Sequence, residues 1–215
     1  MQHCETIMTM LYRLDASAAQ IAAQFAARAG DDPWAGGHIA PGLFAPVITA
    51  GREFVAGPTP VGDPPRRLIP RLWGVPPPPS AGDNPRHGIL TVRNPDSPFW
   101  IGNLRNSEFR CLVPATSFMV WGRVDPTTGK RRQCWFSAAD QPVFVFAGLW
   151  TDSEVPSLAL LSCDANAALR SEGRETMPVI LPSDAKVHDL WLRGDWSRAR
   201  ALLLPYSSSL MAVRR

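Results

Sequence analysis

Lysine is nearly absent from this chain: of its 22 basic residues only Lys130 and Lys186 are lysine, and the rest are arginine. No apolar run approaches the roughly 18 residues a helix needs to span a bilayer. The N-terminus also lacks a basic segment followed by an apolar one. A soluble, unsecreted, cytoplasmic protein without membrane contact is therefore expected. Cysteine is sparse, with Cys4, Cys111, Cys134 and Cys163 forming no C-x-x-C pair, so neither a disulfide framework nor a zinc site is suggested. His3, His38, His87 and His188 are scattered at spacings that suit no metal, and His188 falls on what reads as a surface helix. Phosphate loops of the G-x-x-x-x-G-K-[ST] type, dinucleotide G-x-G-x-x-G turns, H-E-x-x-H helices and G-x-S-x-G elbows are all missing. Nucleotide hydrolysis and dinucleotide redox chemistry are not expected on that ground, and neither is a cofactor.

What the chain does have is a core. Its 215 residues are 45% hydrophobic and include eight tryptophans, enough to bury a sizeable interior. Proline, at 22 residues, is about twice as frequent as usual, which excludes an all-α fold. Asp15-Ala16-Ser17 with Gln20 forms a capping box after a short apolar strand over 8–14, so a helix should follow and end at Gly30. Val47–Ile48 and Phe54–Val55 read as a hairpin, and the proline-rich 57–85 reads as loop around Leu72-Trp73-Gly74-Val75. Strands are expected at 89–92, 110–113, 117–121, 134–136, 143–150 and 158–163. Helices are expected at about 184–192, opened by Ser183, and at 197–203. Strands grouped in the middle with helices at the ends indicate an α+β fold, a single domain with an irregular mixed or barrel-like β core. Cys111, Cys134 and Cys163 sit in apolar strand patterns and read as core residues.

The charge is unevenly distributed. Residues 1–63 carry three basic and six acidic side chains, 64–132 carry eleven and four, and 133–215 carry eight and nine. A basic middle third rich in arginine suits a polyanion partner, while a GC-rich genome would favour arginine codons without any such partner.

Several segments, in order, resemble one family, the SOS response-associated peptidase (SRAP) domain. They are Leu11-Tyr12-Arg13-Leu14, Pro41-Gly42 with Ala45-Pro46-Val47-Ile48, Trp73-Gly74, and Val92-Arg93-Asn94 with Ser97-Pro98-Phe99-Trp100. Arg110-Cys111-Leu112-Val113-Pro114-Ala115-Thr116-Ser117-Phe118, Phe146-Ala147-Gly148-Leu149-Trp150 and Met177-Pro178-Val179-Ile180-Leu181 complete the set. The resemblance covers residues 8–215 and leaves 1–7 as an N-terminal extension. It implies single-stranded DNA binding in the DNA-damage response, with capture of abasic sites by a cysteine directly after the initiator methionine. That cysteine's amine and thiol close a thiazolidine on the sugar aldehyde, and an Asn, a Glu and a His assist.

Residue by residue, the four roles of the family fall on unsuitable side chains. The cysteine position is Thr9, the asparagine position Thr91, the glutamate position Val120 and the histidine position Gly173. The resemblance therefore implies a pseudoenzyme that binds single-stranded or abasic DNA without the stable crosslink. Two alternatives stand beside it. Translation from Met8 would expose the Thr9 amine, which can form an imine with the aldehyde. Alternatively, the fold serves as a scaffold for a protein partner. Proteolysis finds little support with nucleophile, acid and histidine all replaced. Expected DNA contacts are Trp73, by stacking on bases, and Arg93, Asn94, Arg105, Arg110, Arg131 and Arg132. The alternative readings are a Trp73 packed on its own prolines, an Arg93 bracing a buried carboxylate, and a Lys130-Arg131-Arg132 that is a solvated hairpin tip.

Overall fold

A computed structural model of the chain describes residues 11–30, 32–52, 62–78 and 87–214. Strand β1 (Leu11–Leu14) leads into helix α1 (Ala18–Gln24) through the capping box: Ser17 Oγ accepts from the Gln20 amide at 3.3 Å and Gln20 Oε1 from the Ser17 amide at 2.8 Å. The helix stops at Phe25 rather than running to Gly30, because Ala26 takes a left-handed φ of 50° and cannot continue the spiral. After β2 (Ala27–Arg28) and β3 (Gly37–Ile39), β4 (Phe44–Thr49) pairs antiparallel with β5 (Arg66–Trp73). The expected hairpin partner Phe54–Val55 lies outside the described residues. Part of the segment expected to be loop is thus a strand. Pro46 and Pro70 sit opposite each other in it, and a ladder holds such a pair only where no backbone hydrogen bonds are exchanged.

Downstream the expected strands form: the one expected at 89–92 is shorter, the one expected at 143–150 is shifted by a residue, and the others run on further. β6 (Thr91–Val92) precedes α2 (Pro98–Arg105), a helix opened by its proline. Then come β7 (Arg110–Ala115), β8 (Ser117–Val124), β9 (Arg131–Ala138), β10 (Phe144–Thr151) and β11 (Ser157–Asp164). A short α3 (Ala167–Ser171), β12 (Thr176–Pro178) and β13 (Ile180–Leu181) lead to α4 (Ala185–Arg193). That helix is capped by Asp184, whose Oδ1 accepts from the Lys186 amide at 2.7 Å, one residue later than expected. α5 is only Trp196–Ala199, continued by a 3₁₀ turn, and β14 (Met211–Arg214) ends the described chain.

The strands form two sheets. One runs β14-β9-β8-β1-β3 and is antiparallel throughout; the other runs β12-β11-β10-β7-β4-β5-β2, with β13 on β10 and β6 on β11. β11 also pairs in parallel with β5, closing β4, β5, β7, β10 and β11 into a ring. An aromatic cluster joins the sheets. Phe118 of the five-stranded sheet lies 5.7 Å from Phe146 and 6.4 Å from Phe144, and Tyr12 lies 5.8 Å from Phe146 and 5.2 Å from Trp73, all of them fully buried. Edge-on pairs of this kind add to the burial of large apolar surfaces. Trp100 and Trp150 are core residues, while Trp121 is half-buried. His188, expected on a surface, is 5% exposed and packs 5.7 Å from Phe25. No helix among the described residues is long and apolar enough to cross a membrane.

Candidate nucleic-acid interface

β8 turns its even-numbered residues Phe118 and Val120 into the core. Its pairing with β9 then shifts between Trp121 and Val124. Gly122 sits in this irregularity, where a Cβ would lie 2.8 Å from both Cys134 Sγ and Glu172 Oε2. The absence of a side chain lets the turn after α3 dock on β8. Glu172 is 3% exposed there, with its Oε2 3.9 Å from Arg132. Gly173 adopts a φ of 79°, a left-handed geometry that suits glycine, and a Cβ on it would lie 3.4 Å from Arg123 Cγ.

This docking gathers arginines from three separate segments. Arg174 is held below the ordinary arginine range, first by burial and then by the positive charges of Arg131 on β9 and Arg93 after β6. Among the described residues none of Arg93, Arg123, Arg131 and Arg174 forms an ion pair. Arg131 and Arg132 lie on the ladder of β9, beyond the tip. The tip itself is Asp125–Gly129, where the Thr127 and Thr128 amides donate to Asp125 Oδ1 at 2.8 and 3.2 Å and lower its pKa. Asn94 is exposed and folds the loop that carries Arg93, with its Oδ1 accepting from the Asp96 amide at 3.0 Å. Asp96 in turn is gripped by both terminal nitrogens of Arg200, at 2.8 and 2.6 Å. Guanidiniums without an ion pair are chemically suited to anions, phosphate oxygens among them.

The positions aligned with the family's chemistry lie around the same place. Thr91 is two residues before Arg93, Gly173 adjoins Arg174, and Val120 is two residues before Gly122. Val120 is buried and carries no proton. Thr9 lies outside the described residues; the described chain begins at Leu11, which pairs with Met119.

Two expected DNA contacts are corrected. Trp73 is fully buried, edge-on to Tyr12, and its Nε1 donates to the Leu90 carbonyl at 3.2 Å, so no face is left for a base. Arg110 is fully buried as well. Its guanidinium donates to the Gly194 carbonyl and lies 5.7 Å over Trp191, and burial lowers its pKa to about 10, against the raising influence of Asp195. It braces α4 against β7. Arg105 is exposed in the last turn of α2, where it complements the helix dipole; among the described residues no ion pair or hydrogen bond links it to the arginine cluster. Arg123 and Arg174 were not among the expected contacts. Arg174 lies beyond the basic block, and its only signal is adjacency to Gly173. Burial pushes Cys111 up to about 12 and Cys163 up to about 11, which removes thiolate chemistry from both at neutral pH. Among the described residues no three His, Cys, Asp or Glu side chains gather as metal ligands.

The model of the family described as SOS response associated peptidase (SRAP) matches residues 8–215. The chain belongs to the SRAP family. Membership ties this SRAP domain to the DNA-damage response. Its fold is similar to a crystal structure of a protein from Bacteroides thetaiotaomicron, at 18% identity and a TM-score of 0.72 over 94% of this chain and 90% of that one. A protein from Bordetella bronchiseptica gives 22% and 0.68 over 95% and 97%, and a phage-related protein from the same organism 15% and 0.66 over 95% and 92%. No curated protein matches this chain.

Proposed function

We propose that this SRAP domain binds single-stranded DNA, including strands with abasic sites, without forming the stable thiazolidine crosslink. The observation that carries the reading is the docking of the turn after α3 on β8, which sets Gly173 against Arg123 and Glu172 beside Arg132 and brings Arg174 within electrostatic reach of Arg93 and Arg131. It supplies a phosphate site where the side chains for the covalent step are replaced. Residual catalysis through a Thr9 amine and a purely scaffolding role are the two outcomes that would displace it.

The test is a titration of both start forms, from Met1 and from Met8, against a single-stranded oligonucleotide with one abasic site, run on native and denaturing gels. The expected result is a shift on the native gel alone. Salt should weaken it, and Arg131→Ala and Arg174→Ala should each reduce the slope of log K against log salt by about 0.7. A shift that survives denaturation overturns the non-covalent reading, and no shift at low salt overturns DNA binding.

A further inference from the structure

The outer face of the five-stranded sheet holds a second feature. In the β3-β1-β8-β9 order, His38 on β3 and Trp135 on β9 are separated by three strand intervals, about 14 Å at the usual strand spacing. Their ring centroids are nevertheless 5.8 Å apart, edge to face. The two side chains therefore arch toward each other across β1 and β8. Beneath them runs a row fixed by the register: His38 opposite Arg13, Arg13 opposite Ser117, and Ser137 next to Ser117 because Phe118 faces Phe136. Alternation along each strand points these side chains away from the aromatic core.

The open trough that these residues line measures about 640 Å³, with Arg214 at its β14 wall, a volume typical of small-molecule sites. Trp135 and Ser137 are half-buried, and His38 and Arg214 are exposed. Arg13 is held by Asp15 at 3.0 Å, and its Nε is buried with no hydrogen-bond partner. The lining thus combines flat aromatic surface, hydroxyls and guanidinium donors.

Resting on the DNA-binding reading above, we infer that this trough is a base subsite, in which one nucleobase of the bound strand stacks on Trp135 and meets the hydroxyls of Ser117 and Ser137 with its polar edge. Strand geometry links it to the phosphate site. Arg131, Gln133 and Trp135 alternate along β9 toward one face, which sets Arg131 and Trp135 about 13 Å apart at the usual rise per residue. A strand whose phosphates lie on Arg93, Arg131 and Arg174 can thus place a neighbouring base in the trough. The stacking role expected of Trp73 passes to a residue whose ring is accessible.

The experiment uses the full chain and a single-stranded oligonucleotide carrying 2-aminopurine at successive positions, with its emission followed on binding. One position should be quenched, and Trp135→Ala should remove that quench and weaken binding about 5- to 150-fold, the range for one lost stacking contact. Trp135→Leu keeps bulk without the ring and gives the same result if the alanine variant fails to fold; Trp135→Phe should restore part of the affinity. If the wild type binds and Arg131→Ala weakens it, while Trp135→Leu leaves affinity and quench unchanged, the base subsite falls and DNA binding stands. If the wild type binds no oligonucleotide at low salt, the underlying reading falls with it.

Discussion

Gly122 and Glu172 approach so closely that one added carbon on the glycine would lie 2.8 Å from the Glu172 carboxylate oxygen. Gly122 has no left-handed φ, so the constraint is contact and not backbone strain. Because the same added carbon would meet Cys134 Sγ at 2.8 Å, neither side offers room.

Gly122→Ala should therefore destabilise the protein by about 1–3 kcal/mol, the usual cost of overpacking, although alanine ordinarily improves on glycine within a strand. Thermal unfolding provides the check, with a midpoint several degrees lower expected. A raised midpoint would mean that the turn after α3 does not dock on β8. The variant should also weaken oligonucleotide binding, since Arg174 is carried by that turn.

Arg110 should behave as a structural residue. Its burial holds the guanidinium pKa near 10, so it stays charged at neutral pH while its environment opposes the charge. Arg110→Ala leaves both a cavity and the Gly194 carbonyl without its donor, and about 2–4 kcal/mol should be lost in urea unfolding. Arg110→Met fills most of the volume without burying a charge and should lose less. Folded protein of either kind should bind DNA as the wild type does. A selective loss of DNA affinity at unchanged stability would return Arg110 to the interface.

His188 gives the fold a pH dependence of definite sign. Burial is the main cause of its lowered pKa and Arg66 adds to it, while the Pro182 carbonyl, Asp184 and Asp189 act the other way. The unfolded chain then binds a proton on this residue more readily than the folded one. Stability from this group is full above the ordinary value of 6.5 and declines as pH falls from there through the lowered folded value. Urea midpoints of wild type and His188→Gln, measured from pH 7.5 down to 5, should diverge in slope only below about 6.5. Parallel slopes would show that His188 is as readily protonated in the folded protein as outside it.

The sequence made some elements plain and concealed others for identifiable reasons. Phe144–Thr151 is almost wholly apolar and is a strand buried on both faces; Ser17 and Gln20 announced α1 because a capping box is a purely local device. β5 stayed hidden because Arg66, Arg67, Pro70 and Arg71 break any apolar alternation, and only its pairing with β4 makes the strand. Trp73, beside a glycine among prolines, has the local context of a loop aromatic; its burial comes from ring contacts with Tyr12, which is distant in sequence. The arginine site was half legible. Arg93 and Arg131 fall within the basic middle third, whereas Arg174 joins them only through a glycine contact that no sum of charges along the chain can register.

The parallel pairing of β5 with β11 brings together strands from opposite halves of the chain. Until β11 has been synthesised, β5 has only the two-residue β2 on that flank, at Arg66 and Arg67, and β4, β5, β7 and β10 form an open sheet with largely bare rims. A nascent chain must pass through a state in which these rims could recruit other extended segments, and the slow search for a distant partner prolongs it. Once the ring closes, that liability is removed from five strands in one step. Truncation before β11 should consequently yield aggregates and not a smaller folded unit.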